Sequence, residues 1–497
     1  MKTLFRSVFS IFVFSAVALL SFTACDDDEK YNFVFELQGS IVTEPGTTVT
    51  MPIVASNISS VSVSSYPAGW TVDKIDVATW TVTITAPKKY TAEDEKVEEN
   101  GTLKLIGYTS AGTSVTATCY LSLLNKSIDL TDVPSNCYAI WQKDTRYTID
   151  VTHRGEQMGE QFTAEKVDVM WQSSKDLIKY HSYDAARGEF TFFIGNEEVT
   201  DDDDNVIETR VPDGSAIIAA YDAADEVIWS WHVWVTGSDI ESTAIATAAG
   251  TFMDRNLGAY ANSDGATNTT KIHESYGYYY QWGRKDPFNR PYHYNMANNS
   301  NKSGYDSNGN TVRFKAATAD NSDTGSEEFA RKNPTTLILG AEDNGWDWLF
   351  DSHNSSLWSA SQKSVNDPCP RGWRIPTSNQ FAMLDIDAAD DALPSAEVKD
   401  KWGWYLSDAS GVKMFMLGAG RRSYETGVFT NVNNYESTPP VPWIGFYWTA
   451  DTGEKDANAA KSMFFDLNTT RAVNNRYEPA REMYRANAMQ IRCVRIQ

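Results

Sequence analysis

The sequence predicts a mainly β chain, with two β-sandwich modules followed by an α+β C-terminal domain. Three observations carry this reading. Residues 31–125 hold short tracts in which apolar or β-branched residues alternate with polar ones, separated by turn-rich segments. Residues 126–240 end in the dense tract Val227–Val235, apolar on both of its period-two faces. Residues 241–497 change composition, with nine of the sixteen Trp, many Arg and long Asn/Ser/Gly/Asp stretches between aromatic pieces. The length of 497 residues suits roughly three domains. With 41% hydrophobic and 12% aromatic residues, the chain can build real cores and is no disordered polymer. A net charge of −23 argues against nucleic-acid binding, which needs a basic footprint.

The first element is an address. Lys2 and Arg6 precede an apolar run from Val8 to Leu20, and small residues follow up to Cys25. The run is short for a membrane span and has the three-part form of a secretory signal over residues 1–24. A Cys directly after the cleavage position resembles the bacterial lipoprotein signal, with Phe22 where that pattern usually has Leu. The resemblance implies that Cys25 carries acyl chains and anchors the protein to outer-membrane lipid. Asp26-Asp27-Asp28-Glu29, within an acidic tether of residues 25–30, resembles the surface-export signal of Bacteroidota lipoproteins. That implies display on the outer face of the outer membrane.

The first module, residues 31–125, has strand-like tracts at Thr48–Val54, Trp80–Ile84 and Val115–Leu121. Turns are expected at Glu44-Pro45-Gly46 and Tyr66-Pro67-Ala68-Gly69. The spacing reads as a sandwich, and it resembles the immunoglobulin-like (Ig-like) spacer modules of Bacteroidota surface proteins. In the second module, residues 126–240, Val227–Val235 is expected to be a central strand buried on both faces. Asp201–Asp204 lacks the glycine and distal Glu of a calcium loop and reads as a solvated hairpin tip. Residues 25–240 hold 15 basic and 36 acidic residues, a balance of −21, against 26 and 30, a balance of −4, in residues 241–497. The acidity belongs to the N-terminal part of the mature chain.

Three runs mark the C-terminal domain. They are Met253-Asp254-Arg255-Asn256-Leu257-Gly258-Ala259 with Tyr279-Tyr280-Gln281-Trp282-Gly283-Arg284-Lys285-Asp286-Pro287-Phe288; Cys369-Pro370-Arg371-Gly372-Trp373-Arg374-Ile375-Pro376-Thr377; and Gly445-Phe446-Tyr447-Trp448-Thr449-Ala450 with the closing Ile491-Arg492-Cys493-Val494-Arg495. Together they resemble the Fibrobacter succinogenes major paralogous domain, which is C-type-lectin-like. The resemblance implies a Cys369–Cys493 bridge and a scaffold role for the motif residues. Thr377 or Ser378 is placed to cap a short helix carrying Phe381 and Leu384. Arg255 and Arg284 are suited to tying loops to carbonyls and carboxylates. Cys119 and Cys137 leave two readings open, a pair across the domain junction or two buried thiols.

The six His are scattered, and no nucleophile or zinc pattern is present, so the sequence points to no enzyme, metal or cofactor. The formylglycine-generating enzymes of the same fold class need reactive cysteines, and the expected bridge takes both cysteines of this domain. Calcium-dependent sugar binding is disfavoured, because Glu478-Pro479-Ala480 lacks the amide residue of the lectin motif. Binding through aromatic and Arg side chains remains. The candidates are Trp346, Trp348, Trp402, Trp404, Tyr405, Arg421, Arg422, Tyr424 and Trp443. The expected function is a non-catalytic surface lipoprotein that binds an extracellular glycan or protein ligand. The alternative is an accessory or tip-like subunit of fimbriae, with pilin partners.

Overall fold

The alternation in residues 31–125 does build a sandwich. The computed structural model describes residues 33–37, 39–43, 46–87, 98–123, 127–156, 161–201, 203, 205–291, 303–351, 353–387, 400–430, 444–467 and 476–496. The expected leader (1–24), the tether (25–30), Cys25 and Trp443 lie outside them. The chain is mainly β, and it divides into two compact units, Met1–Lys126 and Ser127–Gln497.

The first unit has two four-stranded sheets. One runs Val34–Leu37, Thr48–Ser56, Thr81–Thr85, Thr71–Asp76, and the other Ser40–Thr43, Ser114–Leu123, Asn100–Tyr108, Ser60–Ser65. Period-two alternation turns Met51, Ile53, Val82, Ile84, Leu103, Leu105 and Leu121 into one shared core with Trp70. The two expected turns contain Gly46 at φ 76° and Gly69 at φ 84°, where a side chain would strain the backbone. Cys119 is a buried free thiol in this core, and burial pushes its pKa up to about 12.

In the second unit the Val227–Val235 strand decides the architecture. It pairs in parallel with Cys137–Ile140 and antiparallel with Gly214–Tyr221, in a six-stranded sheet that continues through Lys166–Gln172, Gly304–Tyr305 and Thr311–Val312. One face carries Trp229, Trp231, Val233 and Val235. It packs against the sheet of Ile178–Asp184, Glu189–Ile194, Thr145–Asp150 and Ser127–Leu130, through Ile149, Phe190 and Phe192. The other face carries Trp234, which joins Cys137, Trp171 and Ile217 in a core with Trp282, Trp348, Trp358 and Trp448. The strand is therefore buried on both sides, as its pattern predicts. The junction expected near residue 240 lies inside this unit, because the same sheet serves as a wall for both regions and takes two strands from beyond residue 300. The Asp201 carboxylate folds back on the backbone N–H groups of Asp203 and Asn205 at the tip of the hairpin Glu197–Thr200/Val206–Arg210.

His232 on that second face is enclosed. Its Nε2 lies 2.9 Å from Ser215 Oγ, and its Nδ1 lies 3.2 Å from Tyr280 Oη and 3.5 Å from the free thiol of Cys137. Burial pushes the imidazole down to about 3, so it stays neutral in the folded chain. An unfolded His titrates near 6.5, so acid protonates the unfolded chain first and favours it. This contribution to stability is whole above about pH 6.5 and falls by up to about 1.4 kcal/mol per pH unit as pH drops towards 3. Urea midpoints measured from neutral to mildly acid pH are expected to fall less steeply in His232→Gln. Equal slopes would refute the assignment.

Beyond residue 240 the strands are short and the core is aromatic. Val494 joins Phe252 and Arg374, bringing the end of the chain onto the beginning of this region. Cys369 and Cys493 form the disulfide, Cα–Cα 6.1 Å. Thr377 caps the helix Ser378–Phe381, accepting from Gln380 N while Gln380 Oε1 accepts from Thr377 N. Arg284 donates to Gln281 Oε1 and to the carbonyls of Thr336, Ala330 and Asn333, and Arg255 to Tyr260 O and Thr236 Oγ1. Both work as loop ties. Among the described residues no helix is long and apolar enough to cross a membrane.

Candidate functional site

The nine candidates do not form one site. Trp348, Trp402, Trp404 and Arg422 are buried, which corrects the expectation that they contact ligand. Trp348 Nε1 donates to Trp282 O, and Trp404 packs on Phe465. Arg422 donates to Gly427 O and to Asn289 Oδ1. The physical reason is the size of the aromatic core, which the short strands of this region need for burial. Tyr405 is partly exposed and ties its hairpin to Asp264 through its hydroxyl. Trp443 is not described.

Trp346, Tyr424 and Arg421 do come together. The short helix Glu342–Asn344 ends at Gly345, φ 65°, and Trp346 follows at φ 66°. Gly345 takes this conformation without strain, and a Cβ at the position would push the Asn458 side-chain amide aside. Two consecutive left-handed residues reverse the chain. The buried Asn344 amide clamps the reversal by donating to the carbonyls of Ala319, Asp347 and Leu349. Asp347 and Trp348 then turn inward. Asp347 accepts from His353 Nδ1 at 2.7 Å, while Trp346 is left partly exposed. A left-handed Trp costs on the order of 1–3 kcal/mol; Trp402 adopts the same conformation at φ 63° but is buried, whereas Trp346 is partly exposed.

Tyr424 follows the strand Arg421–Arg422, and its carbonyl accepts from Gly340 N at 2.8 Å, fixing it beside the Trp346 loop. Tyr484 ends the strand Tyr477–Tyr484. The three rings meet edge to face. Trp346 and Tyr424 are 5.2 Å apart at 66°, and Tyr424 and Tyr484 are 5.0 Å apart at 73°. Arg421 lies 5.9 Å from the Tyr424 ring and 5.7 Å from Phe446, and donates to Asn487 Oδ1. Its Nε is buried without a partner, and burial holds its pKa below the ordinary value.

Tyr424 and Tyr484, but not Trp346, also line a cavity of about 310 Å³ with Asp456, Ala459, Glu482 and Met483. Its carboxylates, Asp456 and Glu482, offer acceptor oxygens. Burial raises the Glu482 pKa, but the N–H groups of Glu454, Lys455 and Asp456 outweigh it and hold the carboxyl below its usual value. Arg481 on the same strand sits 4.1 Å from the Phe464 ring. The arrangement offers three partly exposed aromatic rings, two carboxylates and two guanidinium groups. It can stack on a C–H-rich face and accept hydrogen bonds from hydroxyls.

Tyr484, Met483, Glu482 and Asp456 were not singled out by sequence reasoning. The strand that carries three of them is half-exposed along nearly its whole length, so no period-two signal separates one face from the other. Tyr477, close by in sequence, serves elsewhere and donates to Phe381 O.

Neither a protein-family model nor a curated protein matches this chain. Solved structures align weakly. One is a Bacteroides ovatus mixed-linkage glucan utilization protein, SGBP-B, in complex with a mixed-linkage heptasaccharide, at 10% identity over 40% of this chain and 45% of that one, TM-score 0.12. Another is the protocadherin Gamma B7 extracellular cadherin domains 1–4, at 10% identity over 41% and 50%, TM-score 0.14. A third is SporoSAG from Toxoplasma gondii, at 10% identity over 40% and 97%, TM-score 0.14. The chain spans about half the length of the first two. TM-scores this low carry no argument about function.

Proposed function

We propose that the chain is a non-catalytic surface lipoprotein whose C-terminal region binds a glycan in the Trp346–Tyr424–Tyr484 groove. The observation that carries the reading is Trp346 itself, a large aromatic side chain held in a strained backbone and left partly exposed against Tyr424, whose ring also meets Tyr484 and lines an acceptor-bearing cavity. Aromatic rings bind sugar faces at low entropic cost, and such residues dominate binding energies. The groove's Glu482 carboxylate is held by the N–H groups of Glu454 and Lys455, and its lining residues place no nucleophile beside a base, which favours binding over turnover. Anchoring through Cys25 rests on the sequence, and Cys25→Ala is expected to abolish incorporation of labelled fatty acid.

A glycan array probed with the chain tests the reading. Trp346→Ala and Tyr424→Ala are each expected to weaken the best ligand about tenfold or more. Trp346→Gly separates ring from fold. It removes the ring and the left-handed strain together, so binding is lost while the melting temperature holds or rises. Binding that survives in all three variants sinks the groove as the site.

A further inference from the structure

A second cavity, sharing no lining residue with the groove, lies between the six-stranded sheet and the 273–291 segment. Its volume is about 90 Å³, and its walls include Trp171, Ser174, Asp213, Tyr278, Asn289 and Arg290. Trp171 and Tyr278 meet edge to face at 6.0 Å and give it an aromatic side. Asn289 is 4% exposed, and its Oδ1 accepts from Arg422 Nη1 at 2.5 Å, while its Nδ2 has no partner. Asp213 accepts from Arg290 through Oδ2, while its Oδ1 is buried and unpartnered. Trp171 Nε1 is also unpartnered, but Gly304 packs directly on it, so it is not counted as a donor to the cavity.

An orphaned buried donor and an orphaned buried acceptor each cost about 1–3 kcal/mol unless something meets them. A hydroxyl donates and accepts, so hydroxyl groups satisfy both walls at once. Arg290 and Asp213 neutralise each other, which removes the pull for a charged ligand. The volume equals roughly three waters and suits a molecule or ligand edge of about three carbons. We propose that this cavity binds a neutral vicinal diol, with the C–H face of the diol against Trp171 and Tyr278. A free polyol and the edge of a single sugar ring share this chemistry.

The test is a titration of the full chain with glycerol, methyl hexosides and 1,3-propanediol, followed by ligand-observed NMR. Glycerol is expected to bind and 1,3-propanediol, which lacks adjacent hydroxyls, to bind about tenfold more weakly. Binding of a methyl hexoside identifies a sugar edge as the ligand, and binding of glycerol alone identifies a polyol. Asp213→Asn and Asn289→Asp each invert one wall while keeping an oxygen for Arg290 or Arg422, and each should weaken binding about tenfold. Ser174→Trp blocks the cavity from its rim and serves where an inverted wall disturbs folding. Trp346→Ala should leave this binding unchanged, which separates it from the groove. No saturable binding of glycerol or a methyl hexoside, or equal binding of glycerol and 1,3-propanediol, overturns the proposal.

Discussion

Replacing Cys369 and Cys493 together by alanine is expected to lower the stability of the Ser127–Gln497 unit by roughly 4–5 kcal/mol. The bond spans 124 positions of sequence, so breaking it frees a long loop in the unfolded chain. It also fastens the closing segment at the point where that segment enters the core. Met253 N donates to Cys493 O, Leu257 N donates to Ile491 O, and Val494 pairs on both sides. The turn at the other end is held by buried Asp367, which accepts from Cys369 N and Ile375 N. Both ends are therefore rigid in the folded state, and the cost falls mainly on the unfolded one. Urea unfolding of oxidised wild type and the double variant reads the difference. A change below about 1 kcal/mol would contradict the chain-entropy account.

Arg492→Ala is expected to cost about 3–5 kcal/mol, through several buried acceptors left unmet at once. The side chain is 2% exposed, and its fork is filled by oxygens. Nε and Nη2 donate to Asn256 Oδ1 at 3.0 and 2.8 Å, Nη1 to Asp254 O at 2.8 Å, and Nη2 to Phe415 O at 3.1 Å. Removing it leaves these acceptors buried and unmet. Arg492→Lys is expected to recover little, because an ammonium cannot reproduce a planar fork that joins the 253–256 segment to Phe415. The change is read as a shift in urea midpoint at constant slope. Arg492 adjoins Cys493, so the two losses are expected to fall short of additive in the combined variant.

Much of the fold could be read from the sequence where burial is one-sided and local. Thr48–Ser56 and Thr81–Thr85 alternate because each has one wet face and one dry face. Val227–Val235 announces itself as a doubly buried strand, but not what lies on its second side. That partner is chosen by contacts with Trp282, Trp348 and Trp358, more than forty positions downstream. The site was legible only in part for a related reason. Trp346 and Trp348 are the same residue type two positions apart, yet one faces solvent and the other the core. The left-handed pair Gly345-Trp346 and the Asn344 clamp decide this, and neither shows in composition. The pairing of Cys369 with Cys493 followed from the family resemblance, and the structure forms it.

The shared wall formed by the Val227–Val235 sheet bears on how this region can be inherited or engineered. Stalk modules are ordinarily cassettes that can be shuffled, duplicated or swapped at their linkers. Here a cut near residue 240 would strip the downstream aromatic core of Trp234, Cys137 and Ile217 and open a wide apolar scar on both fragments. Residues 127–497 must therefore travel as one piece. Recombination can lengthen or replace what precedes residue 127, but the sheet and the region that carries the groove are transferable only together.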